Sequence, residues 1–221
     1  MKNLHPKNPR GKAAVVFEDT AGCERITNAA SRLFFSRGYN ALTMDALAYE
    51  LGMSKKTLYQ CFSSKEDIVG AVIENFAMQF RKAAEDILDK PKCRFLQRIQ
   101  MLAELAISRF ALLNPVLLHE LQRYSPALYQ RFEELRGRNF PEIWKRLLKD
   151  GVESGAVRPD IDVDFSAQLV LRILRGVVTD HDALHAMKLT SREALVKTFD
   201  VLARGLLSAN ELKSYKKISF S

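Results

Sequence analysis

The segment MDALAYELGMSKKTLYQCF, which spans Met44 to Phe62, predicts two short helices joined by a tight turn. Gly52 stands where the chain must reverse, and glycine tolerates the positive φ that such a turn requires. Ser54 then offers a side-chain oxygen as the N-cap of the second helix. This helix-turn-helix pattern is typical of proteins that place the second helix in the major groove of DNA.

The two predicted helices have one apolar and one polar face. Small and apolar residues hold the helices together, namely Ala46, Leu47, Leu51 and Leu58. The opposite face carries side chains that donate hydrogen bonds to phosphates and base edges. Together with two residues at neighbouring helix N-termini, the predicted DNA-binding set is Thr43, Ser54, Lys55, Lys56, Thr57, Tyr59, Gln60 and Lys65.

A wider pattern around this segment resembles the N-terminal domain of the TetR/AcrR family of bacterial transcriptional regulators. The residues that carry the resemblance are Ile26, Ala29, Ala30, Leu33, Phe34, Gly38, Tyr39, Thr43, Leu47, Ala48, Leu51, Gly52, Met53, Ser54, Thr57, Leu58, Tyr59, Phe62, Lys65 and Glu66. Lys56 stands where the family commonly has glycine, and Cys61 where it has histidine or tyrosine. DNA specificity is therefore not transferable from relatives. The resemblance implies a homodimer that responds to a small-molecule effector.

Helical periodicity continues through the rest of the chain without a convincing strand or repeat, so we predict an all-α fold of about nine helices. Pro141 lies inside the predicted helix 126–154, so a kink or break is expected near residues 137–140. The predicted organisation is a flexible basic arm at 1–18, a helix-turn-helix domain at 19–64, and an effector-binding and dimerisation domain at 65–221.

The composition is typical of a globular protein, and the positive net charge is compatible with a polyanionic partner. Of 221 residues, 47% are hydrophobic and 27% charged, and the formal net charge is +8. The first 75 residues hold 10 Lys+Arg and 8 Asp+Glu, so the predicted DNA domain is not the more basic part. The case for DNA binding therefore depends on the positions of individual lysine and arginine residues and not on the net charge.

The titratable residues indicate neither an enzyme nor a metal protein. Cys23, Cys61 and Cys93 lack metal-binding spacing, so we expect reduced thiols, with redox sensing by Cys61 left open. His181 and His185 share a helical face, but no third ligand accompanies them, and a solvated pair is expected. The aspartates at 160, 162 and 164 lack the glycine and glutamate of a calcium loop.

Other absences in the sequence narrow the class of protein. We find no phosphate-binding glycine loop, nucleophile elbow or paired carboxylates, and therefore expect neither catalysis nor a cofactor. No run of 18 apolar residues and no signal core is present, so we expect a cytoplasmic protein without a membrane partner.

Two further sets of residues are candidates for dimerisation and effector binding. The helix predicted at about 162–181 is apolar on nearly every side and must be buried all round, either by a second subunit or by its own core. The predicted dimer interface is Leu174, Val178, Leu195, Phe199, Leu202 and Leu206. The candidate effector-binding residues are Phe95, Ile99, Leu102, His119, Tyr124, Trp144, Gln168 and Arg172. Other candidate lining residues, with plain core as the alternative, are Leu117, Leu121, Phe132, Leu148, Leu169 and Ile173.

These patterns favour a dimeric, ligand-responsive DNA-binding repressor. A helix from about residue 64 to 88 follows the DNA-reading helix directly and extends into the larger domain, so it is the expected route from ligand to DNA. Two alternatives remain open from sequence. One is an all-helical enzyme with an incidental helix-turn-helix, and the other is a DNA-binding regulator without a small-molecule ligand.

Overall fold

The computed structural model describes residues 20–113 and 115–215, which form eleven α-helices and no strand. The helices are α1 (Thr20–Arg37), α2 (Met44–Leu51), α3 (Lys55–Cys61), α4 (Lys65–Leu88), α5 (Phe95–Phe110), α6 (Pro115–Tyr124), α7 (Pro126–Glu153), α8 (Val163–Thr179), α9 (His181–Ala186), α10 (Ser191–Leu206) and α11 (Ala209–Ser214). The all-α prediction is confirmed. The helices beyond the predicted nine are the six-residue α9 and α11. The predicted basic arm lies outside the described residues.

The first three helices form a small unit around a core of fully buried side chains. Ile26 and Ala30 of α1, Leu47 of α2 and Leu58 of α3 are each 0% exposed. These are the apolar positions that the sequence pattern assigns to the inner faces of the helices. Because the core residues alternate with polar ones at helical spacing, the polar residues of α3 are left on the outside.

The α4 helix connects this unit to the larger helical part of the molecule. It packs against α1 on one side and against α5 and α7 on the other. Its apolar stripe includes Ile68, Val72 and Phe80, all buried. Farther on, α7 packs against α8, and α8 against α10. A row of aromatic rings crosses this part from Phe80 through Phe140 and Trp144 to Phe199.

Of the kink or break expected near residues 137–140, the break is wrong, because α7 runs continuously through Pro141. The kink stays a prediction. Proline removes one backbone donor and costs stability inside a helix. Around Pro141, however, Phe140, Ile143 and Trp144 are all buried. The burial of these large side chains on the inner face of α7 offsets the lost hydrogen bond.

Two glycines of α7 have opposite surroundings and supply a test of the packing. A Cβ added at Gly151 would lie 2.6 Å from Phe95 Cε2 and would also meet Val157, whereas one added at Gly137 meets nothing within 4 Å. We expect Gly151→Ala to lower the free energy of unfolding by about 1–3 kcal/mol through overpacking. Gly137→Ala should raise it by about 0.5–1 kcal/mol, since alanine favours helix.

Urea unfolding followed by circular dichroism measures both changes against the unmodified protein. Destabilisation of similar size by both substitutions would contradict the close packing of Gly151.

Candidate nucleic-acid interface and ligand cavity

The turn between α2 and α3 has the geometry that its sequence predicts. Thr43 caps α2, with its Oγ1 accepting from the Ala46 N–H at 3.1 Å. Gly52 ends α2 with φ +61°, in the left-handed region. Ser54 caps α3, with its Oγ accepting from the Thr57 N–H at 3.1 Å. Thr43 and Ser54 thus hold the ends of the two helices and thereby fix the orientation of α3.

One face of α3 is open to solvent and polar. Lys55, Lys56, Thr57 and Gln60 are exposed, as is half of Tyr59, while Leu58 faces the core. Lys55 Nζ lies 2.5 Å from Asp45 Oδ1, and this hydrogen-bonded carboxylate raises the Lys55 pKa. Lys56 pairs with no carboxylate of the described residues. Its full charge is therefore available to a phosphate.

Lys65, which was predicted with this set, lies in a different environment. It is half-buried, its Nζ is 3.9 Å from the centroid of the Tyr39 ring, and burial lowers its pKa. The Tyr39 hydroxyl donates to Glu66 Oε1 at 2.8 Å, and burial together with this carboxylate raises the Tyr39 pKa to about 12. Lys65 therefore contributes to packing at the start of α4.

An exposed aromatic residue on α2 was not selected from the sequence. Tyr49 is 92% exposed, the largest value among the large apolar side chains of the described residues. In the sequence, the only indication of this exposure is that Tyr49 is an aromatic residue on the polar face of the first of the two predicted helices. A hydroxyl on a rigid, exposed ring is a suitable donor to a phosphate oxygen.

The end of α3 is joined covalently to α1, which corrects the expectation of reduced thiols. Cys23 and Cys61 form a disulfide with a Cα–Cα distance of 5.5 Å, and Cys93 is free. The two cysteines are 38 residues apart in sequence and carry no spacing motif. They meet because α1 packs across α3 in the three-helix unit, which sequence spacing alone does not show.

A second connection joins the small unit to the larger one through α6. Gly38 has φ +89°, and a Cβ there would lie 2.6 Å from Glu120 Oε2. The same carboxylate oxygen accepts a hydrogen bond from the Asn40 N–H at 3.2 Å. The missing side chain of Gly38 therefore makes room for Glu120, which attaches α6 to the loop between α1 and α2.

The larger part of the molecule contains an apolar cavity between α4, α5 and α7. The volume of this cavity is small, about 40 Å³. Its lining is mainly phenyl rings, with two arginines and one asparagine, and consists of Phe76, Ala77, Phe80, Arg109, Phe110, Leu113, Phe132, Leu135, Arg136, Asn139 and Phe140. Small-molecule sites commonly combine apolar walls with a few polar groups.

The predicted effector-binding residues lie outside this lining. Phe95, Ile99, Leu102 and Trp144 pack in the core, whereas His119, Tyr124, Gln168 and Arg172 are exposed. Of the wider candidate set, Phe132 alone lines the cavity. In the sequence, Arg109 lies among apolar residues of α5, whereas Arg136 lies among charged and polar residues of α7, so the pattern gave no signal for Arg136. Only the packing of three helices shows that both reach the same space.

Three of the six predicted dimer residues belong to the protomer's own core. Leu174 and Leu195 are 0% exposed and Phe199 is 3% exposed, so they are not available to a second copy. Leu202 and Leu206 are partly buried, and the side chain of Val178 lies outside the described part. The exposed apolar residues of α8 and α10 are instead Phe165, Leu169 and Val201, which are 62%, 38% and 70% exposed. Leu174, Leu195 and Phe199 thus pack inside the protomer, while a role of Leu202 and Leu206 in a dimer stays a prediction.

The aspartates that resemble a calcium loop have structural partners. Asp162 caps α8 by accepting from the Phe165 N–H, Asp160 pairs with Arg158, and Asp164 pairs with Lys145. Within residues 20–113 and 115–215, no group of three or more metal-ligating side chains is found. No helix in those ranges is long and apolar enough to cross a membrane.

Comparisons with known proteins agree on one family. Residues 26–72 match the model of bacterial regulatory proteins of the tetR family. The transcriptional repressor KstR2 of Mycobacterium tuberculosis is 30% identical over 153 residues, covering 68% of this chain and 74% of that one. A transcriptional regulator from Cytophaga hutchinsonii superposes with a TM-score of 0.67 at 20% identity, covering 84% and 98% of the two chains. FadR of Bacillus subtilis, solved with stearoyl-CoA, superposes with a TM-score of 0.63 at 22% identity, covering 82% and 98%.

The disulfide predicts a measurable stabilisation of the small unit. Because it closes a long loop between α1 and α3, we expect Cys23→Ser to lower the free energy of unfolding of the oxidised protein by about 2–4 kcal/mol. Cys93→Ser, which removes the free thiol, is the matched control and should have little effect.

Urea unfolding with and without dithiothreitol gives the measurement. The difference between Cys23→Ser and the unmodified protein should disappear in reductant. Equal stability of the two proteins under oxidising conditions would show that the cross-link does not form.

Proposed function

Because the chain belongs to the tetR family of bacterial regulatory proteins, we propose that it is a ligand-responsive repressor that binds a palindromic operator as a homodimer. The observation that carries this proposal is the exposed polar face of α3, held in place by capped helix ends. A small-molecule effector then releases the protein from DNA. Since its target is chromosomal DNA, the protein acts in the cytoplasm.

The DNA contacts fall into two groups. Thr57, Tyr59 and Gln60 stand on the outer face of α3, where hydrogen bonds to base edges confer sequence preference. Lys56 and Tyr49 supply phosphate contacts, which add affinity without specificity. Lys55 must exchange its partner Asp45 for a phosphate, and its contribution is therefore expected to be smaller than that of Lys56.

The dimer uses the outer faces of α8 and α10. Phe165 and Leu169 lie one turn apart on α8, and Val201 lies on α10. Each is a large apolar side chain that the protomer leaves in water. Two copies related by a two-fold axis would bury these residues against one another in a four-helix contact. Their recognition helices would need a separation of about 34–36 Å, or a multiple of it, to read successive major grooves.

One residue of the cavity wall also contacts the DNA-reading unit, and this contact couples the cavity to that unit. Phe76 lines the cavity and its ring also contacts Phe35 of α1, with centroids 4.9 Å apart. One turn farther along α4, Phe80 lines the cavity and stacks on Phe140 of α7. A ligand that separates these rings must move α4 against α1 or α7. Such movement regulates only if the ligand prefers the conformation that does not bind DNA.

The alternatives are less well supported. The chain's relatives are transcription regulators, and no observation favours an incidental helix-turn-helix on an enzyme. A regulator without a small-molecule ligand would not need a cavity containing a buried arginine.

Lys56 supplies the test of the DNA interface. We expect Lys56→Ala to weaken operator binding and to reduce the slope of log affinity against log salt by about one, since one phosphate contact is lost. The matched control is Lys82→Ala, which removes an exposed lysine from α4, away from α3.

Fluorescence anisotropy of a selected operator at several salt concentrations gives the slopes. An unchanged affinity and slope for Lys56→Ala would remove Lys56 from the contact set. Failure of the unmodified protein to select any DNA site would refute the proposed function.

Val201 supplies the test of the dimer. We expect Val201→Asp to shift the protein from dimer to monomer, because it places a charge in an apolar contact without a partner. Val116→Asp is the matched control, since Val116 is 64% exposed on α6 and lies away from the proposed interface.

Sedimentation velocity at micromolar concentration distinguishes the two states. Both variants should retain the helical circular dichroism of the unmodified protein, because both positions are exposed in the protomer. A monomeric unmodified protein would contradict the proposal, as would a dimeric Val201→Asp.

A further inference from the structure

The cavity wall contains a buried cation whose hydrogen-bonding groups are only partly used. The Arg136 side chain is 8% exposed. Its Nη2 donates to Glu133 Oε1, while its Nε and Nη1 have no hydrogen-bond partner among the described residues. The guanidinium carbon lies 5.1 Å from the Phe132 ring centroid and 5.8 Å from that of Phe110. A buried donor without a partner is costly, so such a group indicates something that satisfies it.

The charges around Arg136 do not balance. Glu133 is shared, because its Oε1 pairs with Arg136 and its Oε2 pairs with Arg175 of α8. Arg109, on the opposite wall of the cavity, pairs with no carboxylate of the described residues and has its guanidinium 5.4 Å from the Phe76 ring centroid. Two arginines therefore share one glutamate, and Arg109 adds a third cation to the region. Burial lowers the pKa of both Arg109 and Arg136, because the apolar surroundings disfavour the charged forms.

The rest of the lining indicates the chemistry of the remainder of a ligand whose anionic group would pair with these arginines. Five phenyl rings form most of the remaining wall, and such a surface favours an apolar body. The space open to water is small, about 40 Å³, so a ligand of ordinary size must displace Phe76 or Phe80 to enter. A small anion without an apolar part would gain too little binding free energy to offset the loss of these ring contacts.

We infer that the cavity binds an apolar carboxylic acid, with its carboxylate held by Arg136 and its apolar body among the phenyl rings. This inference rests on the proposed function, because it names the chemical class of the effector. Arginine is suited to the role, since it stays charged when buried and its N–H groups form strong charge-assisted hydrogen bonds to carboxylates. Arg109 supplies additional positive potential from the facing wall.

The protein contains a built-in reporter of binding. Trp144 is the single tryptophan of the chain. Its ring lies 5.7 Å from that of Phe140, which lines the cavity. A ligand that moves Phe140 should therefore change the tryptophan fluorescence.

The experiment compares acids with the matching primary amides, which have nearly the same shape but no charge. Straight-chain acids from hexanoate to hexadecanoate and 4-phenylbutyrate are titrated into the full-length protein, with fluorescence and melting temperature as readouts. The best acid should bind at least about tenfold more tightly than its amide, as expected for losing a hydrogen bond to a charged group. Absence of acid binding across the series, or equal binding of acid and amide, would overturn the inference.

Substitutions then assign the preference to one residue. In Arg136→Met the affinities for acid and amide should converge, whereas Arg138→Met, an exposed arginine of the same helix, should behave like the unmodified protein. Arg136→Lys keeps a charge but not the guanidinium, so it should weaken acid binding and leave amide binding unchanged. This variant decides the question if Arg136→Met does not fold. An undiminished acid preference in a folded Arg136 variant would also overturn the inference.

Operator binding, measured without ligand, separates this inference from the proposed function. A protein that binds its operator but none of the acids remains a regulator with a different ligand. A protein that binds the acids through Arg136 but selects no DNA site has the ligand site without the proposed function.

Discussion

The structure depends on one constraint, which is that α4 must be buried on two sides at once. Its rings illustrate this: Phe76 contacts Phe35 of α1, and Phe80, one turn later, stacks on Phe140 of α7. Phe80 is buried, and Phe76 is partly buried. Because closely packed cores have few alternative arrangements, a change on one side of the helix is not absorbed locally. The small unit and the larger helical part therefore share one mechanical element.

The joint at α6 adds a polar connection to this apolar one. Glu120 occupies the space left by Gly38 and accepts from the backbone of Asn40. Leu113 of the cavity wall comes just before α6 in the chain. The cavity is thus adjacent to both elements that reach the DNA-reading unit. The α4 contact is made of phenyl rings and resists separation. The α6 contact depends on a single carboxylate hydrogen bond, which can be exchanged for water. We therefore expect the connection through α4 to be the stiffer of the two.

The electrostatics of the larger part follow from placing cations in an apolar environment. On α3, Lys55 and Lys56 remain in water, where a charge costs little and an incoming phosphate displaces only solvent or Asp45. Arg136 is enclosed, and its one carboxylate partner among the described residues is a glutamate that also pairs with Arg175. A basic side chain therefore has different roles at the surface and in the cavity, because the free-energy cost of an unpaired charge rises as water is removed.

The sequence by itself determined the local structure. The helix-turn-helix, its capping residues Thr43 and Ser54, the glycine at 52 and the exposed face of α3 all follow from interactions between residues a few positions apart, and such interactions can be recognised in a linear pattern. The all-α class follows for the same reason. Tertiary structure decided which helix faces meet, since Leu174, Leu195 and Phe199 fit an interface pattern as well as a core pattern. It also decided that Cys23 meets Cys61, and that arginines from α5 and α7 face one cavity. These outcomes depend on how long helices cross, and side chains far apart in sequence become neighbours only through that crossing.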